Sequence, residues 1–391
     1  MKIIMDEKKI QELLTRGVEN IYPTREFLEK RLKSGEQLTL YTGYDPTAPT
    51  LHIGHGITMM KLREFQDLGH KVVMLIGDFT GMIGDPTDKT SARQQLTRKQ
   101  VLQNCKEYKK QASAILDFGG KNSVQLKYNS KWLAKLKFAD ILELSSHVTV
   151  QRMVERDMFQ ERMKNEKPIY LHEFMYPLMQ GFDSIAMNVD GEVGGNDQTF
   201  NMLMGRDLMK ELKHKEKFVL TMKLLADNTG KKMGKSEGNM VALSDAPDDM
   251  FGKVMSWSDD MILRGFELCT RAEVPDANEI AQEPMKYKKS LAFEITKNFL
   301  GEKAAEAGRA NFEKVHQSKD RPDEMIEIKP SAYDIITVLV ESKICASRGD
   351  ARRQIEQGGV KVNDARVDSA TLVVKSGDVV QKGSRFFVKI K

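Results

Sequence analysis

The feature that most constrains the fold is a strand–helix–strand pattern in the first eighty residues. Residues 37–43 predict a strand with a glycine stop, residues 56–68 predict a helix that ends before Gly69, and residues 71–77 form a continuous apolar run. Such a run, joined to its neighbours by short connections, is typical of a buried strand in a parallel sheet covered by helices. The sequence therefore predicts an α/β fold built on a parallel sheet, with residues 125–128 and 184–189 as further strand candidates.

The rest of the chain predicts further helices and a small separate region. Helices are expected at residues 6–16 and 24–33, and after residue 245 the strand signal disappears, so residues 250–316 predict helices only. A polar, proline-bearing segment at 317–324 predicts a linker. Beyond it, two short helices and three short strands are predicted at residues 333–341, 348–358, 360–363, 371–374 and 385–390.

A chain of 391 residues is too long for one compact core. We expect residues 1–244 to form a catalytic domain around the parallel sheet, residues 245–322 an α-helical domain, and residues 331–391 a small α+β domain. The last of these holds eleven Lys and Arg against seven Asp and Glu, so most of the net charge of +5 lies there. A basic terminal module suits a polyanion-binding appendage, and a solvated basic face is the equal alternative.

Composition excludes several classes of protein. A hydrophobic fraction of 40% and a charged fraction of 30% are those of an ordinary globular protein. The longest apolar runs are far too short to span a bilayer, and the first residues lack the apolar core of a secretory signal, so no membrane role is expected. Cys105, Cys269 and Cys345 form no paired metal or redox motif, which predicts reduced, buried thiols in a cytoplasmic protein.

Two histidines stand at the start of the predicted helix, in the sequence Tyr-Thr-Gly-Tyr-Asp-Pro-Thr-Ala-Pro-Thr-Leu-His-Ile-Gly-His of residues 41–55. A strand end followed by a helix start predicts a phosphate site, because a helix amino terminus offers free amide donors and partial positive charge. Gly54 leaves room for a nucleotide at the backbone. His52 and His55 can share one face of the first turn and donate to phosphate oxygens. The alternatives are a capping role or half of a metal site.

A second basic segment, Asn-Thr-Gly-Lys-Lys-Met-Gly-Lys-Ser-Glu-Gly-Asn at residues 228–239, is rich in glycine. Lys232, Lys235 and Ser236 could close over a pyrophosphate, since lysine is a compact cation on a flexible stem. Taken alone, the segment is more typical of a basic surface turn. Taken with the histidine pair, it predicts the second half of a single triphosphate site.

The two segments resemble the HIGH and KMSKS motifs of the class I aminoacyl-tRNA synthetases, with Gly234 where the second motif usually has serine. Two more resemble motifs of the tyrosine enzymes: Tyr-Pro-Leu-Met-Gln-Gly-Phe-Asp at 176–183 and Gly-Gly-Asn-Asp-Gln at 194–198. Ile-Gly-Asp-Pro-Thr at 83–87 is also similar to a segment of the tyrosine enzymes. The resemblance covers residues 41–239 and implies a Rossmann-like catalytic domain that activates L-tyrosine with ATP and transfers it to tRNA(Tyr).

The resemblance also implies a role for each matching residue. For tyrosine, it implies Tyr41 and Asp183 at the phenolic hydroxyl, Asp85, Tyr176 and Gln180 at the ammonium, and Gln198 near the carboxylate. For ATP, it implies Gly43, Asp45, Thr47, His52, Gly54, His55, Gly195, Asp197 and Lys235. At the phosphates, where catalysis takes place, it implies His52, His55, Lys232, Lys235 and Ser236, with Lys89 and Arg93.

Some of these positions have plain structural alternatives. Tyr176 and Gln180 lie four apart on a predicted helix, and by themselves they fit satisfied interior polar residues. Asp85 lies in a Gly-Asp-Pro turn and also fits a turn former. The chain departs from the commoner bacterial pattern at several positions, which indicates another subgroup of the family: Thr42, Glu192 (where glutamine is common), Asn196, Thr199 and Phe200.

The implied reaction needs no covalent enzyme intermediate. The tyrosine carboxylate attacks the α-phosphorus of ATP in line with the departing pyrophosphate, and the tyrosyl group then passes to the terminal adenosine of the tRNA. Groups at the phosphates would stabilise the charge that develops in the transition state. Mg²⁺ is expected on the phosphates, although no carboxylate cluster indicates a dedicated metal site.

Residues 347–363 resemble the small RNA-binding domain of a ribosomal protein. The resemblance implies that a basic helix with Arg348, Arg352 and Arg353, and Lys361 beyond it, faces the phosphates of folded RNA. A peripheral packing domain is the alternative. The family also implies a homodimer with one tRNA reaching across both subunits, although no interface can be identified in the sequence.

Three rival functions stay open at this point. A tryptophan enzyme shares the fold and both nucleotide motifs, but has no reason to bring Tyr41 and Asp183 together for a hydroxyl. A small-molecule nucleotidyltransferase can carry a similar histidine turn, but the lysine segment and the basic tail argue against it. A catalytically dead relative retained for RNA binding would not need the intact histidines and lysines.

Overall fold

The structure is a computed structural model that describes residues 3–87, 95–227, 229–230, 240–316, 325–383 and 386–391. The chain forms two compact units, residues 1–308 and residues 309–391. In the part of the chain that is described, no helix is both long and apolar enough to cross a membrane. Cys105, Cys269 and Cys345 are buried and unpaired, as expected for reduced thiols.

A six-stranded sheet organises the first unit. Its strands are β1 (Val18–Tyr22), β2 (Thr39–Tyr44), β3 (Lys71–Ile76), β4 (Gln125–Tyr128), β5 (Gly191–Gly195) and β6 (Phe218–Met222). They lie in the order β1-β6-β5-β2-β3-β4, with β1 antiparallel to β6 and all the other pairs parallel. All of β3 except Lys71 is buried, which confirms the prediction of a buried strand in a parallel sheet.

Helices cover this sheet and continue beyond it. Those of the sheet-bearing part are α1 (Glu7–Thr15), α2 (Arg25–Lys33), α3 (Ile53–Asp67), α4 (Thr80–Ile83), α5 (Arg98–Asn104), α6 (Tyr108–Ala112), α7 (Ser130–Leu133), α8 (Phe138–Ser146), α9 (Val150–Val154), α10 (Asp157–Lys164), α11 (Leu171–Met187) and α12 (Thr199–Lys213). Between residues 245 and 316 the regular elements are all helices, as predicted: α13 (Pro247–Met255), α14 (Met261–Cys269), α15 (Ala277–Gln282), α16 (Pro284–Leu300) and α17 (Glu302–His316).

The strand order determines where a ligand can bind. The chain runs from β2 to β3 and β4 on one side and then returns to β5 and β6 on the other. The direction of winding therefore reverses between β2 and β5. In open α/β sheets, the connections diverge at such a reversal and leave a crevice at the carboxyl ends of the strands.

The second unit is a small α+β domain, as expected from the sequence. Its elements are β7 (Ile326–Ile328), α18 (Ile335–Glu341), α19 (Arg348–Glu356), β8 (Val360–Val362), β9 (Ala365–Arg366), β10 (Val379–Lys382) and β11 (Phe386–Ile390). The sheet order is β7-β11-β10-β8-β9. Leu339 and Ile355 from the two helices pack with Val360 and Val388 from the sheet in one apolar core.

Two predicted strands were wrong. Residues 184–189 belong mostly to α11, because Leu178, Phe182 and Ile185 recur at helical spacing and pack in one cluster with Leu208 of α12. Residues 371–374 contribute only an isolated bridge between Val373 and Asp334. Glycine-rich β5 and its neighbour β6 were missed. The missing side chain of Gly191 makes room for the Phe218 ring, since a Cβ there would lie 2.0 Å from its nearest atom.

Candidate active site

A cavity of about 400 Å³ opens at the carboxyl ends of the parallel strands, where the winding reverses. It has the volume of an ordinary small-molecule site. Every described residue that the sequence assigned to tyrosine or ATP lines it: Tyr41, Gly43, Asp45, Thr47, His52, Gly54, His55, Asp85, Tyr176, Gln180, Asp183, Gly195, Asp197 and Gln198. The predicted residues Lys89, Arg93, Lys232, Lys235 and Ser236 lie outside the described residues.

Tyr41 and Asp183 are both buried in the cavity wall, 0% and 3% exposed. Tyr41 Oη shares a hydrogen bond of 2.9 Å with Ser184 Oγ. Asp183 accepts from Trp132 Nε1 over 2.7 Å and from Asn129 Nδ2 over 3.3 Å. Burial raises the pKa of the Asp183 carboxyl well above its ordinary value, and burial also raises the pKa of Tyr41. The two side chains are therefore fixed polar groups in a dry environment.

A second set of polar contacts joins β2 to α11 through Asp45. Tyr176 Oη donates to Asp45 Oδ2 over 2.8 Å, and Thr80 Oγ1 donates to Asp45 Oδ1 over 2.6 Å. Gly77, at the end of β3, is required for this contact because a Cβ there would lie 1.9 Å from Asp45 Oδ1. Burial raises the pKa of the Tyr176 hydroxyl, and nearby Asp45 raises it further.

A third set holds Asp85 against Gln198. Gln198 Nε2 donates to Asp85 Oδ2 over 2.8 Å, and the backbone and hydroxyl of Thr87 donate to Asp85 Oδ1. The contacts from Thr87 are those of a turn-forming aspartate. Asp85 is thus a turn former and a member of the cavity wall at once, so the two interpretations drawn from the sequence are compatible.

His52 and His55 cap the amino terminus of α3. Gly54 N donates to His52 Nδ1 over 3.1 Å, and His52 N donates to His55 Nδ1 over 3.1 Å. An imidazole nitrogen that accepts a hydrogen bond carries no proton, so each neutral ring keeps its proton on Nε2. One nitrogen of each ring, Nδ1, therefore caps the helix, as one of the alternatives drawn from the sequence expected. The other nitrogen, Nε2, remains a hydrogen-bond donor.

Burial keeps both rings uncharged. It lowers the pKa of His52 to about 4, and it lowers that of His55 well below 6.5, with nearby His52 as a further cause. Near neutral pH, the pair consists of two hydrogen-bond donors rather than two cations. The partial positive charge at this helix end comes from the backbone amides.

At two glycines of the site, the missing side chain leaves room for different groups. A Cβ at Gly54 would lie 2.9 Å from His52 Cε1, so this glycine makes room for the His52 ring as well as for any ligand. A Cβ at Gly43 would meet nothing within 4 Å, so Gly43 borders open space in the cavity.

The two flanks of the lysine segment reach the same cavity. Leu225 before it and Met240 after it both line the cavity. Residues 241–243 pair with the turn before α3: Ile53 N donates to Val241 O, and Leu243 N donates to Leu51 O, each over 2.9 Å. The backbone thus fixes residues 241–243 beside the histidine turn.

Four wall-supporting residues were missed by sequence reasoning: Asn129, Trp132, Ser184 and Lys217. Asn129 directly follows β4, and a polar residue at a carboxyl strand end was a visible signal. Lys217 directly precedes the apolar strand β6 and is fully buried, with its Nζ bonded to Glu192 and to Ser184 Oγ. A lysine beside an apolar run was a visible signal too. Trp132 and Ser184 have no comparable mark in the sequence.

The predicted RNA-binding residues lie in the second unit. Arg348, Arg352 and Arg353 are exposed on α19, and Lys361 is exposed on β8. Arg353 forms an ion pair with Asp350 at 2.7 Å, and Arg348 lies 3.7 Å from Asp334. All four cationic groups are therefore accessible to a polyanion.

Family models match nearly the whole chain. Residues 33–317 match the model of class I tRNA synthetases for tryptophan and tyrosine. Residues 314–388 match the model of the tyrosine–tRNA ligase SYY-like C-terminal domain.

Curated relatives match at full length. The chain is 42% identical to tyrosine–tRNA ligase 2 of Clostridium acetobutylicum, over 100% of this chain and 99% of that protein. It is 44% identical to tyrosine–tRNA ligase 2 of Vibrio cholerae, over 96% of this chain and 97% of that protein. It is 41% identical to the tyrosine–tRNA ligase of Geobacter sulfurreducens, over 97% of each.

Solved structures have the same fold. The mitochondrial tyrosyl-tRNA synthetase of Coccidioides posadasii is 25% identical, with a TM-score of 0.65 over 78% of this chain and 92% of that one. The corresponding Aspergillus nidulans enzyme is 22% identical, with a TM-score of 0.67 over 79% and 94%. From its cavity, its two family matches and its full-length relatives, the chain belongs to the tyrosine–tRNA ligases of the class I aminoacyl-tRNA synthetases.

Proposed function

We propose that the cavity holds tyrosine with its phenol at Tyr41 and Asp183, its ammonium at Asp85, Tyr176 and Gln180, and its carboxylate near Gln198. The observation that carries this proposal is the convergence of all these side chains on one cavity. Carboxylates and side-chain carbonyl oxygens suit an ammonium, which can only donate. A buried hydroxyl beside a buried carboxyl suits a phenol, which both donates and accepts.

Selection against phenylalanine follows from the burial of Tyr41 and Asp183. An amino acid without the hydroxyl would leave both polar groups without their ligand partner, in a site that water cannot solvate freely. A hydrogen bond contributes about 0.5–1.5 kcal/mol net, and about 1.5–3 kcal/mol when one partner is charged. The cavity is therefore expected to reject phenylalanine through the hydrogen bonds to the ligand that Tyr41 and Asp183 lose, not through a steric clash.

ATP is the second substrate of this enzyme class, and we propose that it binds beside the tyrosine. Its adenosine would lie along Gly43, Asp45, Thr47, Gly195 and Asp197. Its phosphates would lie at Gly54 and the amino terminus of α3, within reach of the Nε2 donors of His52 and His55. The open space next to Gly43 is consistent with a bulky ligand at this point.

In the proposed mechanism, a carboxylate oxygen of tyrosine forms a bond to the α-phosphorus as the bond to the β-phosphate oxygen breaks. Negative charge moves onto the departing pyrophosphate. Neutral donors that are already oriented stabilise this charge without a reorganisation cost. A ribose hydroxyl of the terminal adenosine of tRNA(Tyr) then attacks the tyrosyl carbonyl, and AMP leaves.

We also assign Lys232, Lys235 and Ser236 to the pyrophosphate, with Lys89 and Arg93 as further phosphate contacts. The flanking residues Leu225 and Met240, both in the cavity wall, support the assignment of the lysine segment. Mg²⁺ would arrive with the ATP phosphates. Among the residues described, no group of three or more His, Cys, Asp or Glu side chains could hold a metal ion.

The second unit would bind the tRNA through Arg348, Arg352, Arg353 and Lys361. Their exposure supports this role, because phosphate contacts require accessible cations. The match of residues 314–388 to a tyrosine–tRNA ligase C-terminal domain is further support. We retain the division into catalytic residues 1–244, helical residues 245–322 and RNA-binding residues 331–391 as a functional proposal.

We propose that the enzyme is a homodimer and works in the cytoplasm. Large apolar side chains are exposed on α8, α9 and the start of α11, among them Phe138 (76%), Leu142 (57%), Val150 (66%) and Leu171 (76%). Exposed apolar groups in such number mark an interaction surface, and a second copy of this chain would cover them. Sedimentation equilibrium should give a mass of twice 44.4 kDa for the wild type and the mass of a monomer for Phe138→Glu.

The proposed location in the cytoplasm is supported by the buried, unpaired cysteines, which fit a reducing compartment.

Calorimetric titration without ATP tests the binding proposal. We expect wild-type protein to bind tyrosine at least about a hundredfold more tightly than phenylalanine, because two buried polar groups lose their partner. Tyr41→Phe should narrow this ratio by about tenfold while the affinity for phenylalanine is unchanged or improved. Equal affinity of the wild type for the two amino acids would refute the assignment of the phenol pocket.

A further inference from the structure

A buried ion pair forms part of the cavity wall, because Glu192 lines the cavity beside Gln180. Glu192 in β5 and Lys217, the residue before β6, have side chains that are 2% and 0% exposed, and Lys217 Nζ is bonded to Glu192 Oε2. Two buried charges cost free energy unless both are paired and hydrogen-bonded.

Glu192 determines the orientation of the Gln180 amide. Gln180 Nε2 donates to Glu192 Oε1 over 2.9 Å. A carboxylate can only accept, so the amide must meet it with its NH₂ group. Lys217 donates to the other oxygen, and a carboxylate between two N–H donors has no hydrogen to offer a flipped amide. The Gln180 carbonyl oxygen is consequently directed away from Glu192.

That carbonyl oxygen is an acceptor open to a ligand. Gln180 lines the cavity, and among the described residues no hydrogen bond engages its Oε1. An ammonium group has three donors and no acceptor, so it needs oxygens of this kind and would be repelled by an NH₂ group in the same position.

The ion pair also reaches the phenol end of the proposed site. Lys217 Nζ donates to Ser184 Oγ over 2.9 Å, and Ser184 Oγ lies 2.9 Å from Tyr41 Oη. One buried chain of hydrogen bonds thus runs from Gln180 through the ion pair to Tyr41. A shift at Glu192 would reach a contact at each end of the amino acid.

We propose that Glu192, held by Lys217, is a positioning residue that fixes the Gln180 amide with its carbonyl oxygen toward the ammonium of the amino acid. The inference rests on the proposed placement of that ammonium beside Gln180. A glutamine at position 192 would have the same size, but it offers both a donor and an acceptor. Gln180 could then bind it in either orientation, and one of these presents NH₂ to the ammonium.

Two competitive inhibitors separate this role from a merely structural one. Tyramine carries the ammonium and no carboxylate, whereas 3-(4-hydroxyphenyl)propionate carries the carboxylate and no ammonium. In tyrosine-dependent ATP–pyrophosphate exchange, Glu192→Gln should raise the KM for tyrosine and the inhibition constant of tyramine by about tenfold, as expected for one hydrogen bond to a charged group. The kcat should stay within about threefold, and the inhibition constant of the propionate within about twofold.

Controls separate the possible failures. Gln180→Met should also weaken tyramine selectively; if it does not, the placement of the ammonium is wrong. If Gln180→Met is selective while Glu192→Gln shifts both inhibitors alike or neither, the positioning role alone is overturned. Should Glu192→Gln fold poorly because Lys217 is left unpaired, Glu192→Gln with Lys217→Met removes the buried cation. This double variant must show the same selective loss of affinity for tyramine.

Discussion

At the residue scale, His52 and His55 each use one ring nitrogen for the fold, and the proposed function assigns the other to a ligand. The backbone amides that bond to Nδ1 fix the tautomer, and burial keeps the rings neutral. Preorganised neutral donors of this kind act on charge that develops during the reaction and are costly to replace.

The change His52→Asn tests this division of roles. Asparagine keeps an acceptor where Nδ1 lies, so α3 stays capped, but it has no group at the position of Nε2. We expect the kcat of ATP–pyrophosphate exchange to fall by about a hundredfold, with tyrosine affinity within about twofold. His214→Asn, at an exposed helix end, is the matched control and should leave both values unchanged. A loss of tyrosine affinity with an unchanged kcat would remove His52 from the phosphates.

The lowered pKa of His52 makes stability depend on pH. Between about 4 and 6.5 the unfolded chain binds a proton at this residue and the folded chain does not, so its contribution to stability is complete above 6.5 and is lost as the pH falls toward 4. For a full shift of this size the loss is on the order of 2 kcal/mol at pH 5. Urea unfolding at pH 7 and pH 5 should therefore show a smaller decrease for His52→Asn than for wild type. The same decrease in both proteins would mean that His52 titrates normally.

At the element scale, the sequence predicted what depends on local patterns and missed what depends on packing. The apolar run of β3 and the helix from residue 56 were evident, although α3 begins three residues earlier, at Ile53, where the His52 cap starts it. Strand β5 was missed because Gly-Glu-Val-Gly-Gly has no strand propensity. Its place in the sheet comes from pairing with β2 and β6, and Gly191 leaves room there for the Phe218 ring.

The candidate site was predictable to a similar degree. The described residues that the motifs assign to tyrosine or ATP all line the cavity, whereas those that support them, such as Trp132 and Ser184, lie outside the motifs. Nothing in a single sequence indicates that Trp132 will donate to Asp183, because that contact is set by how α7 packs against α11.

The start of α3 offers an element-scale test, Gly54→Ala. The new methyl group would lie 2.9 Å from the His52 ring and displace it from the Gly54 amide. We expect exchange to slow by about tenfold or more, because an oriented donor is lost. In Gly252→Ala, also in a helix, the methyl group would meet nothing within 4 Å, and this control should keep full activity. Full activity of Gly54→Ala would show that the position of the His52 ring is unimportant.

At the scale of the whole molecule, the proposed sites for tyrosine activation and for tRNA binding lie in different parts of the chain. The described residues that line the cavity all belong to residues 1–308, whereas the exposed cations of α19 and β8 belong to residues 309–391. The two activities should therefore respond to different substitutions.

Arg352→Ala with Lys361→Ala tests this separation. We expect the KM for tRNA in aminoacylation to rise severalfold. The salt dependence of tRNA binding should weaken. In a plot of the logarithm of the binding constant against the logarithm of the salt concentration, the slope should be smaller by about 0.7 to 0.9 for each phosphate that the protein no longer binds. Exchange without tRNA should be unchanged. Lys303→Ala, an exposed lysine on α17, is the charge control. If both variants raise the KM for tRNA equally, the effect of Arg352 and Lys361 is one of nonspecific charge and not of a dedicated RNA-binding surface.

The most direct test of the whole account is ATP–pyrophosphate exchange driven in turn by tyrosine, tryptophan and phenylalanine. A cavity that combines a phenol-binding end with a phosphate-binding helix terminus should support exchange with tyrosine, and the rates with the other two should be lower by at least about a hundredfold. Faster exchange with tryptophan, or no exchange with any of the three, would contradict it.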